Sequence, residues 1–191
     1  MSKLAVITGS TRPGRFNIQP AQWIFEQAQQ KGLDVELVDL ADWNLPFLDE
    51  DKTPLHHQYE QDHTKKWATK IGSFDGYVFV TPEYNHSFSA VLKNAIDYLN
   101  FEWNYKPAAF VSYGSQAGGA RAVEHLRGVL TELRMYSLKE HILLSNFWEH
   151  QDDTKQYQFS EKQVEQAEHL LEQLDFWAAQ MKPARQKLQP I

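Results

Sequence analysis

A chain of 191 residues, 42% hydrophobic and 23% charged, has the size and balance of about one globular domain that buries a core without staples. Its 19 Lys and Arg against 25 Asp and Glu leave a net charge of −6, which argues against a nucleic-acid partner but leaves room for a small anionic ligand held by local donors. Cysteine is absent, so disulfides, iron–sulfur clusters, thiolate zinc sites and thiol mechanisms are excluded together, and redox chemistry would fall to an organic cofactor.

The longest apolar runs are four or five residues, against the ~20 that span a bilayer, so no membrane partner is expected. Met1-Ser2-Lys3-Leu4 lacks the apolar stretch of a secretory signal, and the chain reads as soluble and cytoplasmic. Short apolar runs, expected to be strands, then alternate with longer amphipathic stretches, expected to be helices. Leu4–Ile7 is the first strand. Residues 17–31 form a helix with Asn17 as N-cap, Pro20 in the first turn and Gly32 as the stop. Val35–Leu40 alternates and reads as a strand nearer an edge. A polar helix over 58–71 sets Trp67 and Ile71 four apart. Tyr77–Val80 is apolar throughout, as in a strand covered on both faces.

The helix over 87–100 carries Phe88, Val91, Leu92, Ala95, Ile96, Tyr98 and Leu99, more than one apolar stripe. That predicts a second surface to bury and hence a homo-oligomer. Ala108–Val111 is the fourth strand. Over 119–135, Val123, Leu126, Leu130 and Leu133 line one helical face, and Ile142–Leu144 is the fifth strand. Residues 161–181 step by three and four, opened by a Ser160/Gln163 capping box. Residues 182–191, with Pro183 and Pro190, are expected to be a loose tail behind one domain over 1–181. This alternation predicts an α/β fold, a parallel sheet with helices on both faces and right-handed crossovers. Ligands bind such sheets beyond the carboxyl ends of the strands, here the loops after residues 7, 80 and 111.

The first loop, Thr8 to Asn17, gathers hydroxyls, glycines and two arginines at the start of a helix, the donor chemistry of a phosphate site. Gly9 and Gly14 have P-loop spacing, but Arg15-Phe16 replaces its Lys-Ser/Thr, and the dinucleotide glycine pattern is missing. A polar turn without a ligand is the plainer alternative. The second loop, Thr81 to Ser87, sets free backbone N–H groups beside Tyr84, suited to a flat heterocycle with polar edges, or equally to a stiff turn capped by Asn85 or Ser87. The third, Ser112 to Ala120, is rich in glycine and aims a helix N-terminus at the same cleft. Ser115 raises a serine-hydrolase reading, although the nucleophile-elbow glycines are Tyr113 and Ala117 here. His56, His57 and His63 lack helical ligand spacing, so no metal site is expected. Glu149 to Asp153 reads as a solvated loop, and Phe101, Trp103 and Tyr105 as core, cleft wall or subunit contact.

Gly9-Ser10-x-Arg12 with Asn17, Thr81-Pro82-Glu83-Tyr84-Asn85-x-Ser87 continuing to Leu92-Lys93-Asn94-Ala95-Ile96-Asp97, and Lys106-Pro107 leading to Ser112-Tyr113-Gly114 and Gly118-Gly119-x-Arg121-Ala122 together resemble the NADPH-dependent FMN reductases, the flavodoxin-like quinone, azo and chromate reductases. Asp39-Leu40 and Leu45-Pro46-Phe47-Leu48 join the likeness, which runs from about residue 3 to 130. The resemblance implies a three-layer flavodoxin-like fold with strand order 2-1-3-4-5. It implies FMN as cofactor, NADPH or NADH as co-substrate, a quinone-like acceptor, and a homodimer or homotetramer. Ser10, Thr11, Arg12, Arg15 and Asn17 would hold the phosphate, and Pro82, Glu83, Tyr84 and Asn85 the isoalloxazine edge. Ser87 would lie near the phosphate or ribityl chain, and Ser112, Tyr113 and Gly114 on the pyrimidine side. No catalytic acid or base is implied. A flavodoxin-type electron carrier is the alternative from another class. The chain departs from the family pattern at Arg15, where serine is usual, and at Ser89, where proline is usual.

Overall fold

The computed structural model describes residues 2–188. Five strands, β1 (Lys3–Thr8), β2 (Asp34–Asp39), β3 (Gly76–Pro82), β4 (Pro107–Gly114) and β5 (Tyr136–Ser145), form one all-parallel sheet in the order β2-β1-β3-β4-β5. The helices between them are α1 (Ile18–Gln30), α2 (Leu40–Trp43), α3 (Asp62–Gly72), α4 (Ala90–Asp97), α5 (Ala120–Glu132) and α6 (Glu161–Lys187).

Because side chains alternate across a strand, each run divides between two cores. Leu4, Val6, Val78, Val80, Ala109 and Val111 face α1 and α6. Ala5, Ile7, Tyr77, Phe79 and Phe110 face α3, α4 and α5. The three central strands are thus buried on both sides, which explains their unbroken apolar runs. The switch in strand order between β1 and β3 brings their following loops together at the carboxyl edge.

Several boundaries differ from expectation for local reasons. The Asn17 side chain does not cap α1; its amide crosses to donate to the Val80 carbonyl at 2.9 Å. The third helix begins at Asp62, because Glu50 accepts from the Glu60 and Gln61 N–H groups and holds the preceding segment extended. The fourth spans only Ala90–Asp97, with Ser89 as its N-cap in place of the family's proline. Five of the seven apolar residues over 87–100 are at most 2% exposed, so the second surface of that segment is mainly this chain's own; Phe88 and Val91 are half-buried. The expected loose tail from 182 is corrected over its first half. The last helix runs on to Lys187, with Lys182 and Arg185 paired to Asp75, and Pro183 removes one helical donor without ending it. Residues 189–191 lie outside the described residues. Among the described residues no helix is long and apolar enough to cross a membrane.

Candidate functional site

The loop after β1 is drawn tight against β3. Gly9 N–H donates to the Val80 carbonyl at 2.7 Å, and a Cβ on Gly9 would stand 2.8 Å from that oxygen, so only glycine permits the approach. Ser10 is 1% exposed and its hydroxyl lies 3.1 Å from that of Tyr84. Thr11 and Arg12 are exposed. Among the described residues, the N–H groups of Ser10, Thr11, Gly14, Phe16 and Asn17 meet no protein acceptor, and Arg12 meets no carboxylate. Arg15 turns the other way. Its guanidinium pairs with Asp39 at the end of β2, a carboxylate that also accepts from the Thr8 hydroxyl and the Ala41 N–H.

The loop after β3 is not a run of free donors. Glu83 N–H donates to the Tyr113 carbonyl, and Tyr84 and Ser87 exchange both backbone hydrogen bonds in a four-residue turn. Asn85 and His86 form its tip at φ 51° and 69°, the left-handed pair of a type I′ turn. The Glu83 carboxylate, almost buried, is matched by Arg121, whose backbone N–H and Nε both donate to it. Ser87 reaches outward to His125 at 3.2 Å.

In the loop after β4, Gly114 faces the cleft beside Glu83. Tyr113 is 5% exposed and packs edge-on to Phe16 and Phe147; burial pushes its phenol pKa up. Ser112 does not line the cleft. It is fully buried and donates to the Gly118 carbonyl at 2.7 Å, which leaves the His141 Nε2–H as its donor, also at 2.7 Å. Burial, with Arg127 adding to it, pushes His141 down to about 4 and keeps it neutral.

Two hollows result, separated by Tyr84 and Arg12, which line both. The larger, about 620 Å³, runs from Arg12–Phe16 past Pro82–Tyr84 and Tyr113–Ser115 to Phe147, Trp148, Gln151 and Lys155. The other, about 430 Å³, is walled by Ser10, Thr11, Leu45, Phe47, Val91 and Asn94. Sequence reasoning missed Phe16, Trp148, Gln151 and Lys155, which carry no motif. The Asn94 amide grips the segment bearing Phe47 through Pro46 and Leu48; that contact spans 48 residues and has no local signal. Trp103 is core, 1% exposed, with its indole N–H on the Ile96 carbonyl. His57 and His63 pair with Glu102 and Asp49. Ser115 lines the larger hollow, but among the described residues its hydroxyl meets no histidine.

The family described as NADPH-dependent FMN reductase matches residues 2–149. An NAD(P)H-dependent FMN reductase of Schizosaccharomyces pombe is 45% identical over 133 residues, 67% of this chain and 66% of that protein. An NAD(P)H:quinone oxidoreductase of Solanum tuberosum is 34% identical over 148 residues, 74% of each chain. A solved structure, the flavoenzyme NAD(P)H:(acceptor) oxidoreductase FerB from Paracoccus denitrificans, superposes with a TM-score of 0.74 at 22% identity, covering 95% of this chain and 99% of that one, a likeness of fold. The match spans just under two thirds of the S. pombe relative and 64% of a similar Nectria protein.

Proposed function

The chain belongs to the NADPH-dependent FMN reductase family, and on that premise we propose that it is an FMN-dependent NAD(P)H oxidoreductase delivering reducing equivalents to a quinone-like acceptor. The observation that carries this reading is the convergence of three strand-end loops on one open cleft, with cationic and N–H donors at one end and aromatic and glycine surfaces at the other. The donor set fits a phosphate monoester: Arg12 has no carboxylate partner, and the loop N–H groups of Ser10, Thr11, Gly14, Phe16 and Asn17 have no protein acceptor among the described residues. Gly114 lines the same cleft, and its missing side chain lets the Gly119 N–H and Glu83 pack close behind it.

FMN, when bound, supplies a two-electron carrier able to take hydride from a nicotinamide and pass it to an acceptor. In this reading Arg12 and Thr11 hold the phosphate, while Pro82 to Asn85 with Tyr113 and Gly114 border the ring. Ser10, Asn17 and Ser112 act from beneath: Ser10 steadies Tyr84, Asn17 ties the first loop to β3, and Ser112 fixes the Gly118 carbonyl. Arg15 is a brace between loop and β2 rather than a phosphate ligand, because Asp39 occupies it. Ser87 faces His125 and helps the turn keep its place. No side chain is assigned as acid or base. We read the chain as one FMN-binding domain that includes the last helix through Lys187, and the protein as a cytoplasmic homo-oligomer.

The test is direct. Purified protein incubated with FMN and desalted should retain about one flavin per chain and quench its fluorescence. With NADPH and a soluble quinone it should give parallel double-reciprocal lines, since one cleft serves both partners in turn. A colourless protein that leaves FMN fluorescence unchanged refutes the proposal. Quinone turnover separates an enzyme from a flavin-carrying protein without turnover.

A further inference from the structure

The larger hollow has a wall that the family match does not reach. Beyond residue 149 the chain turns back in a small hairpin, bridged between Gln151 and Tyr157, and this hairpin brings Lys155 to the cleft. We infer that Lys155 is a second phosphoryl-binding residue, acting across the cleft from Arg12; the inference rests on the flavin reading above and extends it.

Charge matching is the first argument. Four charged residues line the hollow: Arg12, Arg15, Glu83 and Lys155. Arg15 is neutralised by Asp39 and Glu83 by Arg121. Arg12 and Lys155 have no carboxylate partner among the described residues, so the cleft keeps two unmatched cations. A phosphate monoester carries about −1.5 to −2 at neutral pH, close to what two cations balance. In a chain of net charge −6, two unmatched cations in one cleft mark where an anion is drawn.

Placement is the second. The hairpin is anchored rather than draped. The Asp152 carboxylate accepts from the Thr154 N–H at 2.9 Å, the Thr154 hydroxyl at 2.6 Å, the Gln156 N–H at 3.0 Å and the Gln158 amide at 2.8 Å. Gln19, in the first turn of α1, donates to the Lys155 carbonyl at 2.9 Å and accepts from the Tyr157 N–H at 2.8 Å. The lysine's backbone is therefore gripped by the same helix that closes the first loop. Lys155 also stands at φ 62°, a corner that glycine or asparagine takes without strain. The position keeps a long cation where the backbone alone would favour a small residue.

The chemistry recognised is a phosphoryl group, which two ligands of the proposed enzyme carry: the flavin and the nicotinamide dinucleotide. The experiment separates them. Kd for FMN and for riboflavin is measured by fluorescence, and half-saturation by NADPH and NADH in the FMN-loaded protein, for wild type, Lys155→Asn and Lys155→Arg. Asparagine removes the charge and suits the left-handed corner, so the melting temperature of Lys155→Asn should hold or rise. If Lys155 meets the flavin phosphate, Lys155→Asn weakens FMN by roughly threefold to thirtyfold, leaves riboflavin unchanged and is rescued by arginine. If it meets the dinucleotide, FMN affinity stays and NADPH half-saturation rises by a similar factor. Either result supports the inference. Wild-type FMN and NADPH values retained within twofold in Lys155→Asn overturn it while leaving the proposed function standing. Failure of wild type to bind FMN overturns both.

Discussion

Arg12 and Arg15 sit on one loop, yet their surroundings assign them different work. Arg12 is exposed and faces the cleft without a carboxylate, whereas Arg15 is mostly buried against Asp39. A charge-assisted hydrogen bond contributes about 1.5–3 kcal/mol, so Arg12→Ala should weaken FMN roughly 10- to 150-fold while riboflavin affinity barely moves. Arg15→Ala should leave the FMN-to-riboflavin ratio unchanged and instead cost about 1–3 kcal/mol in urea unfolding, because it strips a part-buried carboxylate of its cation. A phosphate role for Arg15 would show as a fallen ratio with unchanged stability. The sequence announces a cluster of donors here because hydroxyls, glycines and arginines crowd ten residues. It does not announce the division of labour, since Asp39 arrives from another strand, 24 positions away.

At the scale of elements, the start of α5 and the end of α6 carry the sharpest expectations. Gly119 stands at φ 91°, and a Cβ there would lie 2.5 Å from the Ser112 Cβ. Gly128, inside α5, has open space around it. Gly119→Ala should therefore cost about 3 kcal/mol or more, and Gly128→Ala should stabilise by roughly 0.5–1 kcal/mol, both read from denaturant midpoints. At the other end, burial alone would raise the Asp75 carboxyl, but Lys182, the Lys3 N–H and Arg185 hydrogen-bond to it and together hold its pKa below the usual range. A folded pKa below the unfolded one means stability that is present above about pH 4 and lost as pH falls through the folded value. Asp75→Asn should thus lower stability at pH 7 by roughly 2–4 kcal/mol and flatten the acid limb of the stability curve; an unchanged limb would show that the pair contributes nothing.

Strands and most helices were legible because period and caps are local: the Ser160/Gln163 box is present with both of its bonds. The Tyr84–Ser87 turn was legible as one of two equal alternatives, and its type I′ form was not, because Asn85 and His86 adopt left-handed angles without the glycine that usually signals them. The reach of the last helix to Lys187 was hidden for a similar reason. Pro183 reads as a stop, while the ion pairs that carry the helix past it join residues 107 and 110 positions apart.

For the whole molecule, the exposed apolar surface that bears on assembly is the part around Phe47 and Leu55. The segment over 87–100 turns most of its apolar residues inward, which removes the simplest form of the oligomer argument. What remains is the surface around it. Phe47 is 84% exposed, Leu55 66% and Leu48 42%, and Phe88 and Val91 are half-buried nearby on the same face. Two hollows open there. The 430 Å³ hollow is walled by Leu45, Phe47 and Val91; the other, about 340 Å³, lies between α4 and α5 and is lined by Leu55, Leu99 and Val129. Apolar rims around concave hollows are the shape of a subunit contact in which each copy supplies the projection and the recess, the self-complementarity of a two-fold dimer. The expected outcome is a dimer or a larger closed assembly by sedimentation at micromolar concentration. Phe47→Asp and Leu55→Asp should each shift it toward monomer, since losing a buried apolar anchor costs about 1.5–3 kcal/mol, roughly a 10- to 150-fold change in association. Phe176→Asp, an equally drastic change at a 53% exposed position on α6 across the sheet, should leave the mass unchanged. Because Phe47 also walls a hollow that shares Arg12 and Tyr84 with the larger cleft, dissociation should weaken FMN binding in step with the loss of dimer. A wild-type monomer at these concentrations, or a Phe47→Asp protein whose mass is unaltered, would leave that surface to the acceptor alone.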